Sequence, residues 1–248
     1  MSINTTCPAD QQIEGSDDFT DEEIKTLIAF DPVVVEPCPV AFHLARVHIT
    51  RLRVAVAHNT ITDPSTIILR VLDAFNSIWE FDLERWIEEE FADKNDDAKH
   101  QVWILALIHG LAIRLYGILT LPRWAVAAWG ISSPKIKSAY PAVPGCGTYE
   151  SLRRRHRDAL LKMLLEQWSR VESRRRLAWP FAVVGVAVAN TDVATQRYVE
   201  RCLFTIWKDP EVTTSSISAL EKLRVFWLSG KTEWEDCYNE PIPFACSV

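Results

Sequence analysis

The sequence predicts an all-α fold: one helical bundle of about eight helices. Three observations carry this. Apolar residues recur at steps of three and four along most of the chain, cap signals precede several of those stretches, and no second segment offers itself as a strand partner. A chain of 248 residues, 48% hydrophobic and 24% charged, is long enough to bury one full core.

The first helix starts at Thr20, where Thr20 and Glu23 have capping-box spacing and Phe19 with Ile24 fits a hydrophobic staple. Residues 1–19 ahead of it are polar and acidic and read as a disordered tail, leaving 20–248 as a single helical domain. Pro32, Pro37 and Pro39 make an extended link. Residues 40–58 read as a helix with Leu44, His48, Leu52 and Ala55 on one face, although Leu52, Val54 and Val56 also alternate like a strand. Asp63-Pro64 opens a long helix through Ile68, Leu72, Phe75, Trp79, Leu83 and Trp86, closing in the charged stretch 88–97. A fourth helix runs over about 98–121 and stops at Pro122, and residues 122–150 form a long irregular loop. Further helices cover about 151–174, from Trp179-Pro180 to Ala189, from a Thr191 cap through Ile206, and about 214–229, closed by Gly230.

Composition narrows the function. The net charge of -6 disfavours nucleic acid and anionic membranes as partners. The start of the chain has no basic, apolar signal sequence, and the cysteines at 7, 38, 146, 202, 237 and 246 neither cluster nor form a CxxC pair. They read as thiols of an intracellular protein, cytoplasmic or nuclear, with no metal and no cofactor. The apolar run 102–121 carries His109 and Arg114 near its middle, so it reads as a core helix and not a membrane span.

The segment Phe75-Asn-Ser-Ile-Trp79 through Arg85-Trp86-Ile87, the apolar helix 102–121 and the run Leu177-Ala-Trp-Pro-Phe-Ala-Val-Val-Gly185 resemble the regulatory domain of fungal zinc-cluster transcription factors. Arg197-Tyr198-Val199-Glu200 and the closing Val225-Phe226-Trp227 and Trp234-Glu235-Asp236 fit the same pattern, so that the resemblance covers about residues 40–238. Trp179, Pro180 and Gly185 are its most specific part. The resemblance implies an all-helical bundle that senses small molecules or partners and controls an activator. Members of that family read DNA through a module of six closely spaced cysteines; Cys7 and Cys38 are the only cysteines in the first 145 residues, so no such module is expected here.

Asp17-Asp18-Phe19-Thr20-Asp21 matches the aspartate-rich motif of terpene synthases, and Thr191-Asp192 with Glu200 nearly matches the second such motif. Carboxylates so spaced could hold Mg²⁺ on a diphosphate, but acids at a helix start are expected in any case. The basic clusters Arg153–Arg157 and Arg174–Arg176 read as solvated helix surface, and His43 and His48 as ordinary residues. His109, Arg114 and Tyr116 are the polar residues of the most apolar helix. They are the candidate catalytic or anchoring groups, with Trp79, Trp103 and Trp179 as candidate lining of an apolar pocket. No phosphate loop, GxSxG, HExxH or dinucleotide motif is present.

Two functions fit these observations, beside a third reading as a purely structural or decaying relative of that family. The first is a cofactor-independent catalyst of fungal secondary metabolism, promoting a pericyclic cyclisation or isomerisation (a Diels-Alder type, for example) of an apolar terpenoid or polyketide, which needs shape and perhaps one hydrogen bond. The second is a transcriptional co-regulator or small-molecule sensor acting through a partner protein. The expected partners are an apolar small molecule and a protein, without specific nucleic acid or membrane.

Overall fold

The computed structural model describes residues 4–10, 19–30, 38–132, 148–209 and 215–240. Among them are eleven α-helices and no strand. In chain order they are α1 (Asp21–Phe30), α2 (Val40–Ala57), α3 (Pro64–Trp79), α4 (Leu83–Glu90), α5 (Asp96–Thr120), α6 (Arg123–Ser132), α7 (Tyr149–Gln167), α8 (Ala178–Ala187), α9 (Val193–Trp207), α10 (Ser215–Ser229) and α11 (Trp234–Cys237). Short 3₁₀ turns form at Asn4–Thr6 and Arg174–Leu177.

The helix starts follow the chemistry read from the sequence. Thr20 and Glu23 close a reciprocal capping box: the Thr20 amide donates to Glu23 Oε2 at 2.7 Å and the Glu23 amide to Thr20 Oγ1 at 3.3 Å. Asp63 accepts from the Thr66 amide at 2.8 Å with Pro64 in the first turn of α3. Gly230 follows α10 at φ +71°, the left-handed closure that glycine permits.

Three departures have local causes. The helix expected over 64–91 breaks after Trp79, because Asp82 caps a new one by accepting from the Arg85 amide at 3.0 Å. The loop expected over 122–150 begins with α6, whose first amides, Ala125 and Val126, both donate to the Pro122 carbonyl. Proline before a helix is a start as readily as a stop; the rest of that expected loop, 133–147, lies outside the described residues. Helix α9 is capped by Asp192, which accepts from the Thr195 amide at 2.9 Å, in place of the expected Thr191.

The core is built around α5. That helix is long and apolar enough to cross a membrane by length and composition, yet 72% of its most apolar window is buried inside the protein. Helices α2, α3, α7 and α8 pack on it, with α4 and α11 at its flanks. Every residue of α8 is buried, and its Gly185 lets α10 approach. A Cβ at Gly185 would stand 2.6 Å from Leu223 Cδ1, in a fully buried contact, and Trp227 Nε1 donates to the Gly185 carbonyl at 2.9 Å. The tryptophan-proline-to-glycine stretch is thus a close-packing device. Gly185→Val is expected to lower stability by about 2–3 kcal/mol through overpacking, measured as a fall in the urea midpoint; an unchanged midpoint refutes the close approach.

Candidate functional site: a buried arginine and the cleft beside it

Helix α2 buries four polar side chains at helical spacing: His43, Arg46, Thr50 and Arg53. Steps of three and four place them on one face, turned toward the aromatic residues of α5 and α8. Arg46 lies over the Trp179 ring at 4.9 Å and donates to His43 Nδ1 at 3.3 Å. Thr50 and Tyr116 share a hydrogen bond of 3.1 Å between their hydroxyls. A buried guanidinium needs acceptors for its fixed fork of donors, and Arg53 has them. Its Nε and Nη2 bind Glu235 at 2.6 and 2.8 Å, while Nη1 and Nη2 reach the Thr5 and Cys7 carbonyls at 3.2 and 2.7 Å. Burial works against the charge, but the Tyr116 hydroxyl and Glu235 offset it and hold the Arg53 pKa above its usual value.

Residues 4–10 therefore depart from the disordered tail expected over 1–19: Thr5 through Ala9 are buried. The Trp179 and Trp234 indoles donate to Thr5 Oγ1 and to the Thr5 carbonyl at 3.0 and 2.9 Å, and His58 Nε2 meets the Ala9 carbonyl at 3.1 Å. The arm is held by its backbone carbonyls, which is why polar, unpatterned residues suffice. Beside it opens a cleft of about 770 Å³, inside the range of small-molecule sites. Pro8, Ala9 and Asp10 form one wall, Val56 and Ala57 of α2 another, and the Leu119–Arg123 turn with Tyr149 a third. Residues Glu233–Asp236 and Asn239 close it.

The sequence-derived candidates lie elsewhere. His109, Tyr116 and Trp179 do come together: His109 stacks on Trp179 at 6.2 Å and Tyr116 meets it edge-on at 6.0 Å. His109 Nε2 donates to the Arg176 carbonyl at 3.0 Å, so it joins α5 to the turn before α8. Arg114 and Trp79 form a second group, the guanidinium 4.5 Å above the ring and its Nε donating to the Gly110 carbonyl at 3.2 Å. Trp103 stacks on His100 at 5.9 Å, away from both. None of these lines the cleft. Asp17 and Asp18 lie outside the described residues; Asp21 is bound by His48 and Arg51 at 2.8 Å each. Among the described residues no three His, Cys, Asp or Glu side chains converge as metal ligands. The basic clusters are also engaged in the fold. Arg153 donates to the Thr232 carbonyl at 2.6 Å, Arg157 pairs with Asp158 at 2.7 Å and Arg174 covers the Trp168 ring at 5.1 Å.

The sequence reading missed Arg53, Glu235 and the arm. The signal was present in the His43, Arg46, Thr50, Arg53 spacing, which repeats through α2 as regularly as its apolar residues. It also missed His156, which is enclosed by Trp79 and Trp129 at 6.4 and 5.9 Å. Burial, then the nearby Arg114 charge, pulls its pKa down to about 3, against a hydrogen bond from Nδ1 to the Leu152 carbonyl at 2.9 Å.

Two outcomes follow from this geometry. Removing Glu235 leaves a buried cation with only neutral acceptors, so Glu235→Ala is expected to cost about 2 kcal/mol or more in urea unfolding; an unchanged stability refutes the pairing. His156 stays neutral in the folded state where the unfolded chain binds a proton. Its contribution is fully present above pH 6.5 and is lost as pH falls toward 3, with a slope of at most about 1.4 kcal/mol per pH unit. His156→Asn should flatten the stability curve over that window, and parallel curves for the two proteins refute the assignment.

Comparison with known proteins adds one finding. No protein-family model and no solved structure matches the chain. The phomenoic acid biosynthesis cluster-specific transcriptional regulator of Leptosphaeria maculans is 26% identical over 261 residues, an alignment that takes in 99% of this chain and 43% of the regulator. The chain therefore spans less than half the length of that relative. From end to end it is similar to a fungal cluster-specific transcriptional regulator, which bears out the resemblance read from residues 40–238.

Proposed function

We propose that the chain is the regulatory domain of a fungal transcriptional regulator, controlling genes of a biosynthetic cluster in response to a small molecule or partner protein. The observation that carries this reading is the similarity to a cluster-specific regulator along 99% of the chain. On this reading the protein acts inside the cell, in the nucleus when active. With a net charge of -6 and no run of six closely spaced cysteines within these residues, DNA contact falls to other residues or to a partner.

The cyclisation catalyst draws less support. Its proposed groups are engaged in the fold: His109 bonds the Arg176 carbonyl, Tyr116 the Thr50 hydroxyl and Trp179 that of Thr5, while Arg114 covers Trp79. Deletion of the gene separates the two readings. Transcripts of the neighbouring biosynthetic genes are expected to fall together. Normal transcripts with an accumulating uncyclised intermediate would overturn the regulator in favour of the catalyst.

A further inference from the structure

We propose that the cleft beside Arg53 binds an uncharged, oxygen-bearing apolar small molecule, and that this ligand clamps the N-terminal arm, residues 4–10, against the body of the protein. The site deepens the regulator reading by naming a ligand class, but it is tested on the purified chain and stands apart from any effect on transcription.

The ligand class follows from how the charges are used. Arg53 is saturated by Glu235 and the arm carbonyls. Glu233 is held by Arg123 at 2.5 Å with Arg153 at 3.8 Å, and Asp236 by Lys231 at 2.9 Å. Asp10 is exposed and has no ion pair among the described residues, and the residues lining the cleft carry four carboxylates (Asp10, Glu233, Glu235 and Asp236) against two guanidiniums (Arg53 and Arg123). A carboxylate or phosphate would meet that excess of carboxylates, and each lining cation already faces one of them. The walls offer apolar surface instead, from Pro8, Val56, Leu119, Leu121, Tyr149 and Trp234. Hydrogen-bonding capacity remains at two points. Arg123 gives one nitrogen to Glu233 and rests over the Tyr149 ring at 5.1 Å, leaving further N–H groups without an acceptor among the described residues. Asn239 receives only a long bond, 3.4 Å, from Lys222, and its amide N–H groups face no described acceptor. Such donors suit ketone, ester or lactone oxygens on an apolar frame.

The clamp follows from where the walls come from. One wall is the arm, and the opposite walls belong to α2, the α5–α6 turn and α11. A ligand touching both sides binds the seated arm and not the released one, so occupancy must favour the seated state.

The test uses the full chain, Nile red as a neutral apolar probe and anilinonaphthalene sulfonate as an anionic one. Nile red is expected to bind saturably at one site. Ala57→Trp, which fills the cleft from the exposed end of α2, should weaken it at least tenfold with the melting temperature unchanged. Asn239→Trp, on the facing wall, gives the same reading should Ala57→Trp alter the fold. The sulfonate should bind at least tenfold more weakly than Nile red. In hydrogen-exchange mass spectrometry, saturating Nile red should slow the amides of residues 4–10 several-fold. No saturable binding, equal affinity in the filled variants, or tighter binding of the sulfonate overturns the site. Unchanged or faster exchange in the arm overturns the clamp. Either failure leaves the transcript assay, and the regulator reading it tests, untouched.

Discussion

The guanidinium of Arg53 is a charge taken almost fully out of water, and everything near it is arranged around that fact. A buried charge is tolerated only when it is paired and hydrogen-bonded. Arg53 is carried by α2, its counter-charge Glu235 sits 182 residues further along the chain, and its remaining acceptors are carbonyls of Thr5 and Cys7. One side chain thus ties together the arm, α2 and α11. Tyr116 adds α5 to the same node through a contact of 3.4 Å. Because guanidinium donors are planar and fixed in direction, these elements cannot slide independently without orphaning one of them.

The arm is consequently part of the fold although nothing in its composition suggests it. Two indoles, Trp179 and Trp234, reach Thr5, so the arm supplies acceptors to donors that would otherwise be stranded in an aromatic interior. It is also a mixed seat: apolar rings surround it, but its grip is polar. Polar bonds of that kind have directional geometry, so displacing the arm loses several of them at once. The cleft depends on the arm as well, since one of its walls is present only while the arm is seated.

The helical bundle was legible in the sequence because apolar periodicity and cap residues are local signals. The capping box at Thr20, the Asp63-Pro64 start and the glycine after α10 all form as their chemistry dictates. Departures arose where one residue type serves two ends. Proline at 122 both ends α5 and begins α6, and Asp82 turns a continuous apolar pattern into two helices. The site was far less legible. His109, Tyr116 and Trp179 lie ring on ring while Arg114 and Trp79 form a separate pair, and sequence cannot distinguish a filled aromatic core from a hollow one. The cleft was invisible for another reason: its walls come from positions 8–10, 53–57, 119–123, 149 and 233–239, which share no local pattern.

A regulator needs no cavity at the centre of its core to respond to a small molecule. It needs a ligand whose contacts differ between two arrangements of the same chain. A molecule lying between the arm and the α2, α5–α6 and α11 surfaces meets that condition, because its contacts vanish when the arm leaves. Its effect then scales with occupancy: at a hundred times its Kd, it adds about 2.7 kcal/mol to the seated state. That is comparable to a few of the net hydrogen bonds that hold the arm, so a ligand of modest affinity can change how often the arm opens. The aromatic interior serves that purpose by holding the donors on which the arm is seated, the Trp179 and Trp234 indoles, with Tyr116 packed against both rings.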